Sequence, residues 1–389
     1  MNTLTVAVVQ QMSRVYEDSE AYQADVRRFM RQVKSKHAEV VVFPELSGLM
    51  LAYPLISGVK RGLLRRADRG AARRASPLSK ALGVVAGTTV DALGSGMRGS
   101  LTRLLRKRHG ELFDLYVSFF SEVAAEYGMY VVGGSVYLYD EDMDEVRNTS
   151  YLFDPRGQVV GYQEKLVPNR QDQELASPGD RVQVFSTEVG RLGMVIGSDV
   201  LYPEPARALA VQGAELLLAP AACPGPVMYR RVRDAFQARV EENQLFGAIS
   251  FLVGPNNLGP DPFAGKSAVL APLELTPRYV GVLQEVGANN VEGFVALECD
   301  LAALARLQET SDPPLRDALP LACGSLLADF YRSGSPVSVG VQISEAEAVA
   351  TPDLPVQPHL AQEEGSPVIE NQASPAAEVS DGWPFESGS

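Results

Sequence analysis

Short apolar runs alternate along this chain with amphipathic stretches, and the alternation predicts strands and helices in turn. Residues 4–10 are rich in β-branched side chains and predict a first strand. Residues 22–33 carry apolar positions on one face only, as an amphipathic helix does. Residues 40–43 form an unbroken apolar run, the pattern of a strand buried on both faces. Over residues 111–127, Leu112, Leu115, Phe119, Val123 and Ala124 recur at about the helical period of 3.6. A strand is expected over 129–138, and a hairpin over 149–153 and 159–164, closed by Asp154-Pro-Arg-Gly. Further strands are expected at 194–196, 215–218 and 248–253, and helices at 203–212 and 229–246. Such a sequence of elements implies an α/β layered fold with mixed sheets.

Two stretches leave this rhythm. Residues 54–110 are rich in Arg, Gly and Ala and look like an insertion. Between Lys60 and Arg108 stand 13 Lys or Arg against Asp68 and Asp91, a local net of +11 in a chain of −13, so the remainder carries −24. Residues 61–66 and 101–108 could each form a short basic amphipathic helix. A solvated helical hairpin is the plain expectation for 60–108; an anionic membrane surface or an acidic partner is the functional one. Nucleic acid is disfavoured, because the segment has no aromatic residue to stack on bases and the rest of the chain repels phosphate. After Arg332 no Lys or Arg occurs, and the last 57 residues hold nine acids and seven prolines. We expect a folded domain over 1–332 and a disordered acidic tail over 333–389, either a solubilising end or a docking segment around Trp383.

Composition narrows the classes. An apolar fraction of 46% and a charged fraction of 21% are globular values. Three cysteines and three scattered histidines argue against a disulfide scaffold and a His-rich metal site, so no metal and no cofactor are expected. The N-terminus reads as a strand rather than a signal peptide, and residues 82–97, the best apolar stretch, are interrupted by Asp91 and four glycines. A cytoplasmic protein, with peripheral membrane contact through 60–108 as an option, is the expectation. The sequon at Asn148 reads as chance.

Three stretches carry candidate chemistry: Val42-Phe-Pro-Glu-Leu, Tyr162-Gln-Glu-Lys-Leu and Gly193-Met-Val-Ile-Gly-Ser-Asp-Val-Leu-Tyr-Pro-Glu. Glu45 follows a buried strand and a proline, where partial desolvation raises a carboxyl toward the range of a general base. Lys165 ends a hairpin strand and could hold a positive charge over the same sheet edge, suited to an oxyanion. Residues 193–199 read as strand then turn. Singly, each residue has an ordinary reading as a cap or a solvated strand end.

Together, in this order, the stretches resemble the nitrilase, or carbon–nitrogen hydrolase, superfamily. The likeness continues in Ala214-Glu-Leu-Leu-Leu-Ala-Pro, Arg239-Val-Glu-Glu-Asn, Phe263-Ala-Gly-Lys-Ser and Glu292-Gly-Phe-Val-Ala-Leu-Glu-Cys-Asp-Leu. It spans about residues 3–305 apart from 54–110. The resemblance implies a four-layer α-β-β-α sandwich, a Glu45 general base, a Lys165 oxyanion stabiliser, an amide-like small-molecule ligand and a homodimer paired through 203–212 and 229–246. It also implies a second glutamate shortly after the lysine, for which Glu174 is the candidate, with Gln173 in the alternative register.

One departure decides the expected activity. In the family a cysteine attacks the amide or nitrile carbon, and its slot here is Gly197. A glycine has no nucleophile to offer. The family's frequent His two places after the lysine is Val167. We therefore expect a ligand-binding or scaffolding protein without thioester chemistry. The alternative is an active amide hydrolase with a displaced nucleophile, Ser198 or Cys223. Cys299 and Cys323 stand in apolar contexts and read as core.

Overall fold

The structure is a computed structural model that describes residues 3–51, 55, 83–173 and 175–312; over 83–106 it describes the helical backbone and the side chains of Leu101 and Leu105. Residues 56–82 and 313–389, which include the basic 61–66 stretch, Cys323, Trp383 and the expected acidic tail, lie outside the described residues, as does Glu174.

The strands are β1 (Thr3–Met12), β2 (Val40–Val42), β3 (Tyr130–Asp140), β4 (Glu145–Phe153), β5 (Val159–Glu164), β6 (Val184–Thr187), β7 (Gly190–Met194), β8 (Leu216–Ala222), β9 (Phe246–Val253), β10 (Ala268–Leu270), β11 (Val282–Glu285) and β12 (Gly293–Asp300). The main helices are α1 (Ser19–Lys34), α2 (Gly83–Tyr127), α3 (Pro203–Val211), α4 (Gly225–Asn243) and α5 (Leu301–Thr310). One sheet runs β5-β4-β3-β2-β1-β12 and the other β6-β7-β8-β9-β10-β11. The end of β1 joins them: Gln11 and Met12 leave the first sheet and pair with Leu252 and Val253 of β9. The central strands β3-β2-β1 and β7-β8-β9 are parallel, while β4, β5, β6, β10, β11 and β12 are antiparallel additions.

Alternation along the strands builds the layers. Val6 and Val8 of β1, Val40 and Val42 of β2, and Leu216 and Leu218 of β8 point into one shared core between the sheets. Their neighbours Ala7, Val9 and Val41 face a second core under α1 and α2, whose ladder Tyr22, Val26, Phe29, Met30 and Val33 is buried. Leu217 and Ala219 face a third core under α3 and α4, with Leu209, Val232 and Phe236. Three cores between four layers make an α-β-β-α sandwich. The period-2 alternation of strands buried on both faces produces it.

The elements expected from sequence are present, with shifts at their ends. α1 begins earlier than expected because Asp18 caps it, accepting from the Ala21 N–H at 2.8 Å. The hairpin turn is held by Asp154, whose side chain accepts from the N–H groups of Arg156 and Gln158, both at 2.8 Å. The strand expected at 194–196 ends at Met194. The larger difference concerns the basic segment. Residues 101–108 are helical, but they continue the 111–127 helix backwards, so that α2 runs from Gly83 with one break in helical geometry at Arg108 (φ −137°, ψ 30°). Leu101 and Leu105 are fully buried in the core shared with α1, so apolar spacing across the break carries the helix on. Among the described residues no helix is long and apolar enough to cross a membrane.

Candidate active site

Glu45 leaves the C-terminal end of β2 through Phe43 and Pro44, and its backbone is clamped. The Leu46 N–H donates to Ser135 Oγ at 3.0 Å, and Leu46 takes a positive φ of 62°. A shift in register between Val132 and Ser135 of β3 brings Gly134 (φ +68°) against the Pro44 carbonyl, where a Cβ would overlap that oxygen. The carboxylate is 1% exposed. Its Oε1 accepts from Lys165 Nζ at 2.7 Å and from Asn148 Nδ2 at 3.0 Å, and its Oε2 accepts from the Ala222 N–H at 2.8 Å. Burial pushes the Glu45 carboxyl up to about 7, with Lys165 opposing the rise and Asp172 adding to it.

Lys165 follows β5 directly. Its backbone N–H donates to the Asn148 carbonyl at 2.8 Å, so the β4–β5 pairing sets lysine and asparagine side by side. The ammonium is 1% exposed and is held between Glu45 and Asp172. Burial alone would lower its pKa, but the two carboxylates outweigh that and raise it. Asp172 sits in the helical turn Arg170–Gln173, where its N–H donates to Asn169 Oδ1 at 3.0 Å, and it accepts from Tyr137 of β3 at 2.5 Å. Thus strands β3, β4 and β5 and the ends of β2 and β8 all contribute to one buried cluster.

Residue 197 lies at the same place. β7 ends at Met194, and the 3-10 turn Gly197–Leu201 begins with Gly197 at φ +52°. A Cβ built on Gly197 would lie 3.0 Å from the Glu45 carboxyl carbon, 3.1 Å from Oε1 and closer still to Oε2. Asp199 fixes this turn to the lysine loop: it accepts from the N–H groups of Ile196 at 3.2 Å, Leu166 at 3.1 Å and Val167 at 2.7 Å. Burial raises the Asp199 carboxyl to about 6, against Lys165 and those three donors.

The structure therefore brings Glu45, Lys165 and residue 197 together. Ser198, next along the turn, donates its hydroxyl to the Val167 carbonyl at 2.7 Å. Cys223 follows Ala222, whose N–H binds Glu45, but the thiol is buried in the core with Val195, Val200 and Phe251, and burial raises its pKa. Cys299 is likewise core. Two participants escaped sequence reasoning. Asp172 pairs the lysine, while Glu174, the second acid expected from the resemblance, lies outside the described residues. Asn148 was set aside as a chance sequon, yet it is 1% exposed and bound to Glu45. Asp199, which the sequence offers as a cap, braces the turn as one. The Asn169-x-x-Asp172 spacing and the alternation of β4 are the signals that could have pointed to the first two. Among the described residues no group of three or more His, Cys, Asp or Glu is placed to hold a metal ion.

A two-sheet sandwich with a Glu–Lys–acid cluster at the strand ends defines the class of protein, and comparison with known proteins gives the family. The carbon-nitrogen hydrolase family profile matches residues 5–273, and the chain belongs to that family. A probable hydrolase, YhcX, of Bacillus subtilis is 32% identical over 206 residues, 52% of this chain and 40% of that protein. The chain thus spans well under half of that relative. The omega-amidase NIT2 of Bos taurus is 34% identical over 201 residues, 49% of this chain and 68% of the bovine protein. Among solved structures, a double mutant of the amidase from Nesterenkonia sp. AN1 in complex with acrylamide matches with a TM-score of 0.59 at 18% identity, covering 85% of this chain and 98% of that one. A carbon-nitrogen hydrolase from Helicobacter pylori G27 matches with a TM-score of 0.59 at 20% identity, covering 84% and 98%.

Proposed function

We propose that this chain binds an amide-bearing small molecule beside Glu45 and Lys165 without forming a thioester, because Gly197 stands where the family's nucleophile would be. The observation that carries this reading is the packing at residue 197. That position has no side chain, and the Glu45 carboxylate fills the space a Cβ would need. The neighbouring candidates support the same conclusion. Ser198 gives its proton to a backbone carbonyl rather than to Glu45, and a serine without a base is a poor nucleophile. Cys223 has its thiol held neutral by burial. Loss of a nucleophile removes most of such an enzyme's rate, leaving what positioning and oxyanion stabilisation supply.

The retained charges have a use without chemistry. Lys165 carries three N–H donors, of which Glu45 and Asp172 take two. The third we assign to a ligand oxygen. The family's amide-directed relatives make a carboxamide the natural ligand class.

The experiment pairs binding with turnover. Butyramide should raise the melting temperature of the full chain at pH 7, and an ammonia-coupled assay should show no release above buffer over hours. Steady ammonia release that disappears in Glu45→Gln would establish the other reading, an active hydrolase with Ser198 or Cys223 as nucleophile.

A further inference from the structure

Asn148 is bound to the site by one end only. Its Nδ2 donates to Glu45 Oε1 at 3.0 Å, while Oδ1, equally buried, has no hydrogen-bond donor among the described residues. The orientation is fixed by chemistry: turning the amide over would set Oδ1 against a carboxylate oxygen, and two acceptors repel. A buried carbonyl without a donor costs free energy that a matching ligand would recover. The residue is placed by β4, whose pairing sets Asn148 opposite Tyr137, and its own carbonyl receives the Lys165 N–H. Lys165 and Asn148 thus present one spare donor and one spare acceptor from adjoining positions.

We propose that Asn148 is the residue by which this site distinguishes a carboxamide from the carboxylic acid of the same shape. The inference rests on the amide-binding reading above and adds the determinant of selectivity. A carboxamide offers an oxygen to Lys165 and an N–H to Asn148 Oδ1. A carboxylate offers only acceptors, so it meets Asn148 Oδ1 with repulsion and enters a cluster in which Glu45, Asp172 and Asp199 already outnumber Lys165. Sites built to receive an N–H discriminate strongly against analogues that lack it.

Three probes of nearly equal size test this in the full chain at pH 7: butyramide, butyrate and 2-pentanone, in which a methyl replaces the amide nitrogen. Titration calorimetry should give butyramide an affinity about tenfold or more above each of the others, the ratio that one hydrogen bond of about 1.4 kcal/mol provides. Asn148→Ala should narrow the butyramide-to-2-pentanone ratio to within about threefold, while butyrate, still facing Glu45, Asp172 and Asp199, stays disfavoured. The ketone comparison needs no variant, so the proposal stays open to refutation even if Asn148→Ala fails to fold. Equal affinity for butyramide and 2-pentanone in the wild-type chain overturns the role of Asn148 and leaves amide binding standing. Absence of butyramide binding overturns both.

Discussion

The carboxylate of Glu45 occupies the space in which a side chain on Gly197 would begin, so acid and turn fit together only because residue 197 is glycine. The backbone there adds a second constraint, since φ is +52°. We expect Gly197→Ala to lose about 1–3 kcal/mol of stability through overlap and left-handed strain together. Gly110→Ala is the control. Gly110 lies in α2 with nothing within 4 Å of an added Cβ, and the change should stabilise by about 0.5–1 kcal/mol. Urea unfolding of both variants measures the contrast, and equal effects would contradict it.

Gly134 tests how Glu45 is aimed. Its positive φ and its contact with the Pro44 carbonyl leave no room for a Cβ. Gly134→Ala should cost about 1–3 kcal/mol and weaken butyramide binding, because the displaced turn carries Glu45. A stable variant with unchanged affinity would show that the bulge does not position the acid.

Asp172 is the second carboxylate on Lys165, beside Glu45. Removing Asp172 leaves the buried ammonium with Glu45 as its one carboxylate, so the loss falls below the about 3–5 kcal/mol of a buried charge left with no partner. Asp172→Asn should therefore destabilise by about 1–3 kcal/mol at pH 7, the worth of a hydrogen bond to a charged group. A loss below about 1 kcal/mol in urea unfolding would mean that the pair behaves as an exposed one does.

The Glu45 carboxyl gives a pH signature with a definite sign. Its folded-state pKa is raised from 4.5 to about 7, so between those values the folded chain holds a proton that the unfolded chain has lost. The contribution of this group is fully present below pH 4.5 and is lost as pH rises through about 7. The difference in unfolding free energy between wild type and Glu45→Gln should shift in the variant's favour from pH 5 to pH 8. The raised Asp199 carboxyl is common to both chains and cancels in that difference. A constant difference across the range would contradict the assignment.

Much of this was legible in the chain itself. Val40, Val41 and Val42 announce a strand buried on both faces, and the Phe-Pro-Glu that follows places Glu45 at its end. Lys165 follows from the hairpin for the same reason: both are local consequences of strand length and turn chemistry. Asp172 was not legible, because what pairs it with Lys165 is a helical turn that Asn169 starts, and the family resemblance pointed to a later acid. Asn148 reads in the sequence as a chance sequon and nothing more, since only the pairing of β3, β4 and β5 shows that its side chain is buried. The length of α2 was hidden by the basic residues between Leu101 and Leu112, which mask an apolar face that tertiary packing reveals.

The central claim is that no side chain at this site forms a covalent bond with an acyl group. The direct measurement is peptide mass mapping of the full chain after brief reaction with p-nitrophenyl butyrate and an acid quench, with the p-nitrophenolate release followed in parallel. The predicted result is no burst and no butyryl group on any peptide containing Ser198 or Cys223. A stoichiometric butyryl adduct on either residue, absent from Glu45→Gln, would contradict it.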